Sequence, residues 1–174
     1  FVRHCNLKDG AKILDVCFGL GYKTAVALEF AKNIEIIGLE IDPNIIKKSI
    51  EIESDLPQYS VIKKLAASEN FAYHDEKCSI QLVIDDARIS IKKLCKTHSS
   101  YFNAVFLDPF SPKACPELWT EEFFSDVYKC MKSGGILTTY SCARVVRDNL
   151  KKAGFTVKDG PCIGRRAPST IAIA

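Results

Sequence analysis

Three short stretches of this chain carry residue types from which a reaction can be built. The first is Phe18-Gly19-Leu20-Gly21, a Gly-x-Gly turn directly after an apolar run that ends at Cys17. Glycines there let the backbone pass close to a ligand, and a helix starting behind them offers unpaired N–H groups. The second is Glu40, which closes another apolar run roughly twenty residues beyond the glycines, where a carboxylate can accept both hydroxyls of a ribose. Its neighbour Asp42 stands before Pro43 and suits the cap of a following helix instead. The third is Asp108, which ends Ala104-Val105-Phe106-Leu107 and precedes Pro109. A carboxylate at such a tip can accept a hydrogen bond from an amine and take its proton. A third glycine three residues after Gly21 would favour a dinucleotide, but Thr24 stands there.

These residues need elements that bring them to one edge. Apolar runs over 11–17, 33–39, 78–84, 104–107 and 136–140 predict buried strands. Helical spacing covers 22–32, 44–54, 59–73, 89–97, 121–131 and 143–153, with 74–77 a polar turn and 132–135 the stop of the fifth helix. Residues 155–158 and 170–174 form a closing antiparallel hairpin. Strand and helix alternate without an internal repeat. That pattern defines an α/β fold, a mostly parallel sheet with helices on both faces. In open sheets of this kind ligands sit beyond the carboxyl ends of the strands, where all three stretches fall.

A length of 174 residues suits a single domain, 1–174, with its own core. Apolar residues make up 47% and charged residues 26%, and the net charge is only +3. Contacts with a polyanion must therefore come from local patches. No apolar run has the length of a membrane span. The chain begins without Met or a signal-peptide pattern, so it reads as a piece that starts close to its first strand. Eight cysteines never form Cys-x-x-Cys and three histidines share no motif spacing, which predicts no metal site. Reduced thiols in a cytoplasmic protein are the expectation.

Asp15, Gly19, Gly21 and Glu40 together resemble the cofactor half of a Rossmann-type S-adenosylmethionine methyltransferase. The runs Asp108-Pro109-Phe110-Ser111-Pro112-Lys113 and Pro116-Glu117-Leu118-Trp119, with Gly164-Arg165-Arg166, resemble a narrower family. It is the methyltransferase module that completes 5-methylaminomethyl-2-thiouridine at the tRNA wobble position. The resemblance extends over nearly the whole chain. It implies a seven-stranded sheet of order 3-2-1-4-5-7-6, S-adenosyl-L-methionine as cofactor and tRNA as partner. It also implies roles for residues. Asp15 orders the glycine turn, Gly19 and Gly21 meet the amino-acid tail, and Glu40 meets the ribose. Asp86, or Asp85 in its place, reads the adenine together with Ala87. Asp108 is the catalytic base, and Phe110 stacks on the flipped base. Lys113, Arg165 and Arg166 meet phosphates. Trp119 either packs in the core or lines the substrate mouth. The family's segment before the first strand is missing, so tRNA binding by this stretch alone is expected to be weak. A flavin-dependent oxidase domain would not fit in the chain. Three other readings stay open. Spermidine synthases share the sheet and place an amine with a strand-tip acid; a methyltransferase acting on protein or another small molecule is the second; a catalytically silent RNA-binding module, against which Glu40 and Asp108 argue, is the third.

Overall fold

The computed structural model describes residues 2–162 and 166–174. Its first half contains β1 (Lys12–Val16), α1 (Tyr22–Phe30), β2 (Ile34–Glu40), α2 (Pro43–Lys48), α3 (Tyr59–Ala67), β3 (Ala72–His74), β4 (Cys78–Ile84) and α4 (Ala87–Thr97). There follow β5 (Phe102–Leu107), α5 (Glu121–Cys130), β6 (Met131–Thr139), α6 (Arg144–Lys152), β7 (Thr156–Asp159) and β8 (Thr170–Ile173). Short 3-10 turns lie at Val2–His4 and Pro116–Trp119.

The strands form one sheet of order β3-β4-β2-β1-β5-β6-β8-β7. The run from β4 through β2, β1 and β5 to β6 is parallel, while β3 pairs antiparallel with β4, and β8 antiparallel with both β6 and β7. With β3 set aside this is the expected 3-2-1-4-5-7-6, but the sheet has eight strands and not seven. The extra strand comes out of the stretch that helical spacing assigned to 59–73 and the turn at 74–77. After α3 the Ser68 hydroxyl takes the N–H of Ala72 at 2.9 Å, and Phe71 adopts a left-handed φ of 49°. Asp75 then accepts the N–H groups of Lys77 and Cys78, both at 2.8 Å, and so folds β3 back onto β4.

Two other boundaries move. The helix expected over 44–54 is only Pro43–Lys48. Asp42 caps it by accepting the Asn44 N–H at 2.8 Å, but buried Ser49 turns in toward the Leu20 carbonyl. Residues 132–135 do not stop α5. That helix ends at Cys130, Met131 turns extended straight into β6, and Gly134, at φ 77°, lies where the register against β5 shifts.

Both faces of the central strands are covered, which is why they read as continuous apolar runs. Ile13, Ile36, Ile80 and Phe106 pack with Ala25 of α1 and Ile62 and Leu65 of α3. Leu14, Leu39, Val105 and Leu137 pack with Leu94 of α4, Phe124 and Val127 of α5 and Leu150 of α6. Space is tightest around Phe18. A Cβ on Gly38 would lie 2.4 Å from Leu82 Cδ2 and 2.7 Å from Phe18 Cδ2. One on Gly21, at φ 78°, would lie 2.9 Å from the far side of the same ring. The ring is thus gripped between two glycines, and the turn it belongs to is pinned on the sheet. Gly38→Ala should lower stability by about 1–3 kcal/mol, as overpacking does. Urea unfolding with an unchanged m-value reads this out; an unmoved midpoint would mean that Phe18 yields without cost.

Candidate active site

The carboxyl ends of β1, β2, β4 and β5 open on one cleft of about 630 Å³. Beyond β1 the chain passes through Cys17 at a left-handed φ of 59° and Gly19 at φ 62°. The Phe18 N–H returns to Leu39 O at 3.0 Å, which ties the turn to the end of β2. There Glu40 completes the connection. Its Oε2 accepts the Gly19 N–H at 2.8 Å, and its Oε1 accepts those of Ile41 and Asp42 at 2.9 and 3.1 Å. A carboxylate has about four acceptor sites, so Oε1 is filled and Oε2 keeps one.

At the end of β4, Asp86 is the N-cap of α4, accepting the Arg88 N–H at 2.8 Å, and it also pairs with the Arg88 guanidinium. Asp85 takes the Asp86 N–H at 2.8 Å and the Lys93 ammonium at 2.9 Å. Arg88 holds the Asp86 carboxyl below the usual range, and Lys93 does the same for Asp85. Asp86 and Ala87 line the cleft as the adenine reading requires, but the Asp86 carboxylate already has a partner.

Asp15 sits on the α1 side of β1, two residues after Ile13, with no solvent exposure. Thr24 Oγ1 donates to its Oδ2 at 3.1 Å, and Lys23 Nζ stands 3.3 Å from Oδ1. The same ammonium donates to Cys17 O at 3.0 Å and to Asp108 Oδ2 at 3.2 Å. Burial pushes the Asp15 carboxyl up to about 7 against the pull of Lys23. Burial works against the charge of Lys23 too, but the Asp15 and Asp108 carboxylates outweigh it and hold its pKa above the ordinary value. Lys23 is the residue that sequence reasoning missed. The signal was present: an aspartate inside an apolar strand needs a counter-charge, and Lys23 is the first cation after it.

Asp108 leaves β5 with its N–H on Val16 O at 3.2 Å and its side chain 36% exposed on the cleft. Phe110, 81% exposed, lines the same cleft. Its backbone is nevertheless fixed. Trp119 Nε1 donates to Phe110 O at 2.8 Å, and the Tyr140 hydroxyl donates to Pro109 O at 3.0 Å. Trp119 is only 3% exposed, packed edge-on against Phe124 and Tyr140, and Asn149 holds its carbonyl at 2.9 Å. It therefore does not line the substrate mouth; its indole is wanted inside, as the donor that anchors the loop. Lys113 is exposed and stands outside the cleft lining. Arg166 is exposed in the β7–β8 connection, and Arg165 lies outside the described residues. Arg144, exposed at the start of α6 beyond β6, lies on the same rim and was not singled out from sequence.

Among the described residues no group of three or more His, Cys, Asp or Glu is placed to hold a metal ion, and no disulfide is formed. No helix among the described residues is long and apolar enough to cross a membrane. The cleft does fit a nucleoside cofactor. Its volume is that of a small-molecule site, and Glu40 keeps an acceptor. Where a side chain on Gly19 would stand, the nearest atom is 4.0 Å away.

Residues 49–174 match a family model described as S-adenosyl-L-methionine-dependent methyltransferase, and residues 1–95 one described as protein-L-isoaspartate(D-aspartate) O-methyltransferase. The chain belongs to the S-adenosyl-L-methionine-dependent methyltransferases. Its relatives include the uncharacterized protein MJ0670 of Methanocaldococcus jannaschii, 32% identical over 166 residues, 92% of this chain and 46% of that protein. A second is the tRNA 5-methylaminomethyl-2-thiouridine biosynthesis bifunctional protein MnmC of Psychrobacter cryohalolentis, 30% identical over 125 residues, 70% of this chain and 18% of that protein. The solved structure of MNMC2 from Aquifex aeolicus superposes with a TM-score of 0.76 at 30% identity, over 99% of this chain and 56% of that one. A spermidine synthase superposes at 0.66 with 17% identity, over 95% of this chain and 55% of that one, a likeness of fold alone. The chain thus spans about half the length of these relatives, or less. The resemblance to the tRNA 5-methylaminomethyl-2-thiouridine family is thus met in the Psychrobacter and Aquifex proteins.

The loop geometry has a measurable consequence. Trp119→Phe keeps an aromatic ring in place but removes the donor to Phe110 O. It should cost about 1 kcal/mol of stability and speed amide exchange over residues 108–113. Exchange as slow as in the unaltered protein would assign the order of the loop to Tyr140 alone.

Proposed function

We propose that this chain is an N-methyltransferase acting on the exocyclic amine of 5-aminomethyl-(2-thio)uridine at the wobble position of tRNA. The observation that carries the reading is the place of Asp108 and Phe110. A partly exposed carboxylate and an exposed aromatic ring, two residues apart in the chain beyond β5, both line the cleft that also holds the glycine turn. The names of the bacterial relatives support tRNA as the substrate.

S-adenosyl-L-methionine, when bound, supplies an electrophilic methyl group on a sulfonium. The rest falls to this chain. Glu40 takes a ribose hydroxyl on the acceptor site left at Oε2, Gly19 passes close to the amino-acid tail, and Asp86 with Ala87 borders the adenine; Gly21 does not line the cleft and serves the turn by leaving room for the Phe18 ring. Asp15 acts through Thr24 and Lys23 to hold the first turn of α1 against the glycine turn. An alkylamine resembles lysine, with a pKa of about 10, so the acceptor nitrogen must shed a proton before its lone pair can attack. Asp108 accepts that proton and holds the nitrogen in line, and orientation alone supplies several kcal/mol of the barrier. Phe110 stacks on the uracil ring. Lys113, Arg144, Arg166 and, outside the described residues, Arg165 meet phosphates weakly and with steep salt dependence given the small net charge. The reading places the protein in the cytoplasm with its tRNA.

Two substitutions separate the halves of the site. Glu40→Ala should weaken S-adenosyl-L-methionine binding at least tenfold in calorimetry, about 1.4 kcal/mol; unchanged affinity in a folded variant would remove Glu40 from the cofactor site. Asp108→Asn keeps the shape and loses the base. Methyl transfer to tRNA bearing aminomethyl-uridine should fall a hundredfold to ten-thousandfold, roughly 3–5 kcal/mol in the barrier, with cofactor affinity nearly intact. Raising the pH should recover part of it, because more of the amine arrives neutral. Near-normal turnover at neutral pH would reduce Asp108 to a turn residue.

A further inference from the structure

Lys23 is placed too close to the reacting centre to serve Asp15 alone. Nζ donates to Cys17 O at 3.0 Å and to Asp108 Oδ2 at 3.2 Å, and stands as an ion-pair partner 3.3 Å from Asp15 Oδ1, which has no hydrogen-bond partner. What it still offers the cleft, which it lines with a side chain only 12% exposed, is its charge. We propose that Lys23 is an electrostatic positioning residue that shifts the acceptor amine toward its neutral form, against the pull of Asp108 toward the ammonium. The inference rests on the amine-methylating reading above.

The argument is one of charge placement. The amine is to meet Asp108, and one oxygen of that carboxylate is already engaged by Lys23. An amine arriving as ammonium brings a second cation to the same carboxylate, within a few ångströms of the first. Asp108 alone would draw the amine toward its ammonium form; in a partly buried site the Lys23 repulsion moves that equilibrium back toward the neutral form by about tenfold or more relative to a site without it. A neutral amine meets none of it and still donates a hydrogen bond to Asp108. A neighbouring cation lowers the pKa of an amine in the same way when it activates a lysine nucleophile.

The other groups around Lys23 do not undo this. Asp15, on β1, is pushed up to about 7 by burial, so near neutrality it cancels only part of the Lys23 charge. The Cys17 thiol is pushed up to about 12 by burial and stays neutral. Glu40, at the end of β2, is committed to three backbone N–H groups, and at the end of β4 Asp85 and Asp86 are paired with Lys93 and Arg88. Asp108 is the acid beyond β5 that faces both Lys23 and the cleft.

The test uses two near-isosteric substitutions that change the charge in opposite directions. The substrate is an anticodon stem–loop carrying 5-aminomethyluridine, and the readout is kcat/KM against pH. In Lys23→Gln the acid limb should move up by about one pH unit or more, with the rate at high pH approaching that of the unaltered protein. In Asp15→Asn, which leaves Lys23 less neutralised, the limb should move down. Lys23→Arg should keep it near its original place. A second readout needs no turnover. The buffer dependence of the binding enthalpy at neutral pH should show more proton release per stem–loop bound by the unaltered protein than by Lys23→Gln. If Lys23→Gln does not fold because Asp15 is left unpaired, the double variant Asp15→Asn/Lys23→Gln removes both buried charges and should also raise the limb. A folded Lys23 variant with an unmoved limb and unchanged proton release overturns the inference and leaves Lys23 a structural counter-ion. Absence of methyl transfer by the unaltered protein would take down the functional reading itself, and this inference with it.

Discussion

A carboxylate with no solvent exposure inside an apolar sheet must be matched by a cation, and much of the site follows from how Asp15 is matched. Lys23 reaches it from the first turn of α1 and in the same contact takes hold of the Cys17 carbonyl and of Asp108. One ammonium therefore ties the end of β1, the start of α1 and the exit of β5. Leaving either charge unpaired would cost several kcal/mol, so these parts move together or not at all. The left-handed Cys17 costs about 1–2 kcal/mol. It is tolerated because its carbonyl is held by Lys23 and the following N–H by Leu39.

The acceptor side of the cleft is built on a different device. The loop after β5 is ordered through its carbonyls, with Trp119 on Phe110 and Tyr140 on Pro109, while the Phe110 ring is left in solvent. Backbone order is thus secured by the core, so a ligand that stacked on the aromatic face would find a loop needing little further ordering.

The two halves also differ in what they say about function. The model of a carboxyl-methylating family matches residues 1–95, which include the glycine turn, Glu40 and Asp86, and the other family model covers 49–174, with Asp108 and Phe110. A cofactor half can be shared among enzymes with unrelated acceptors, because it reads only the cofactor. The acceptor has to be argued from the residues beyond α4.

The sequence by itself determined the parallel core, the glycine turn, the acids at the ends of β2, β4 and β5, and the cap at Asp42. Each rests on a property read within a few residues: period, turn chemistry, or a proline beside an acid. It did not reveal β3, because residues 59–73 keep an apolar spacing compatible with a helix, and only pairing with β4 makes 72–74 a strand. It left Trp119 undecided between core and substrate mouth, since an indole suits both until its N–H finds the Phe110 carbonyl. It passed over Lys23, eight residues from Asp15 and 85 from Asp108 in the chain. Those outcomes were decided by tertiary structure alone, for a single physical reason: a buried charge or donor finds its partner through packing, and packing joins residues that no local pattern relates.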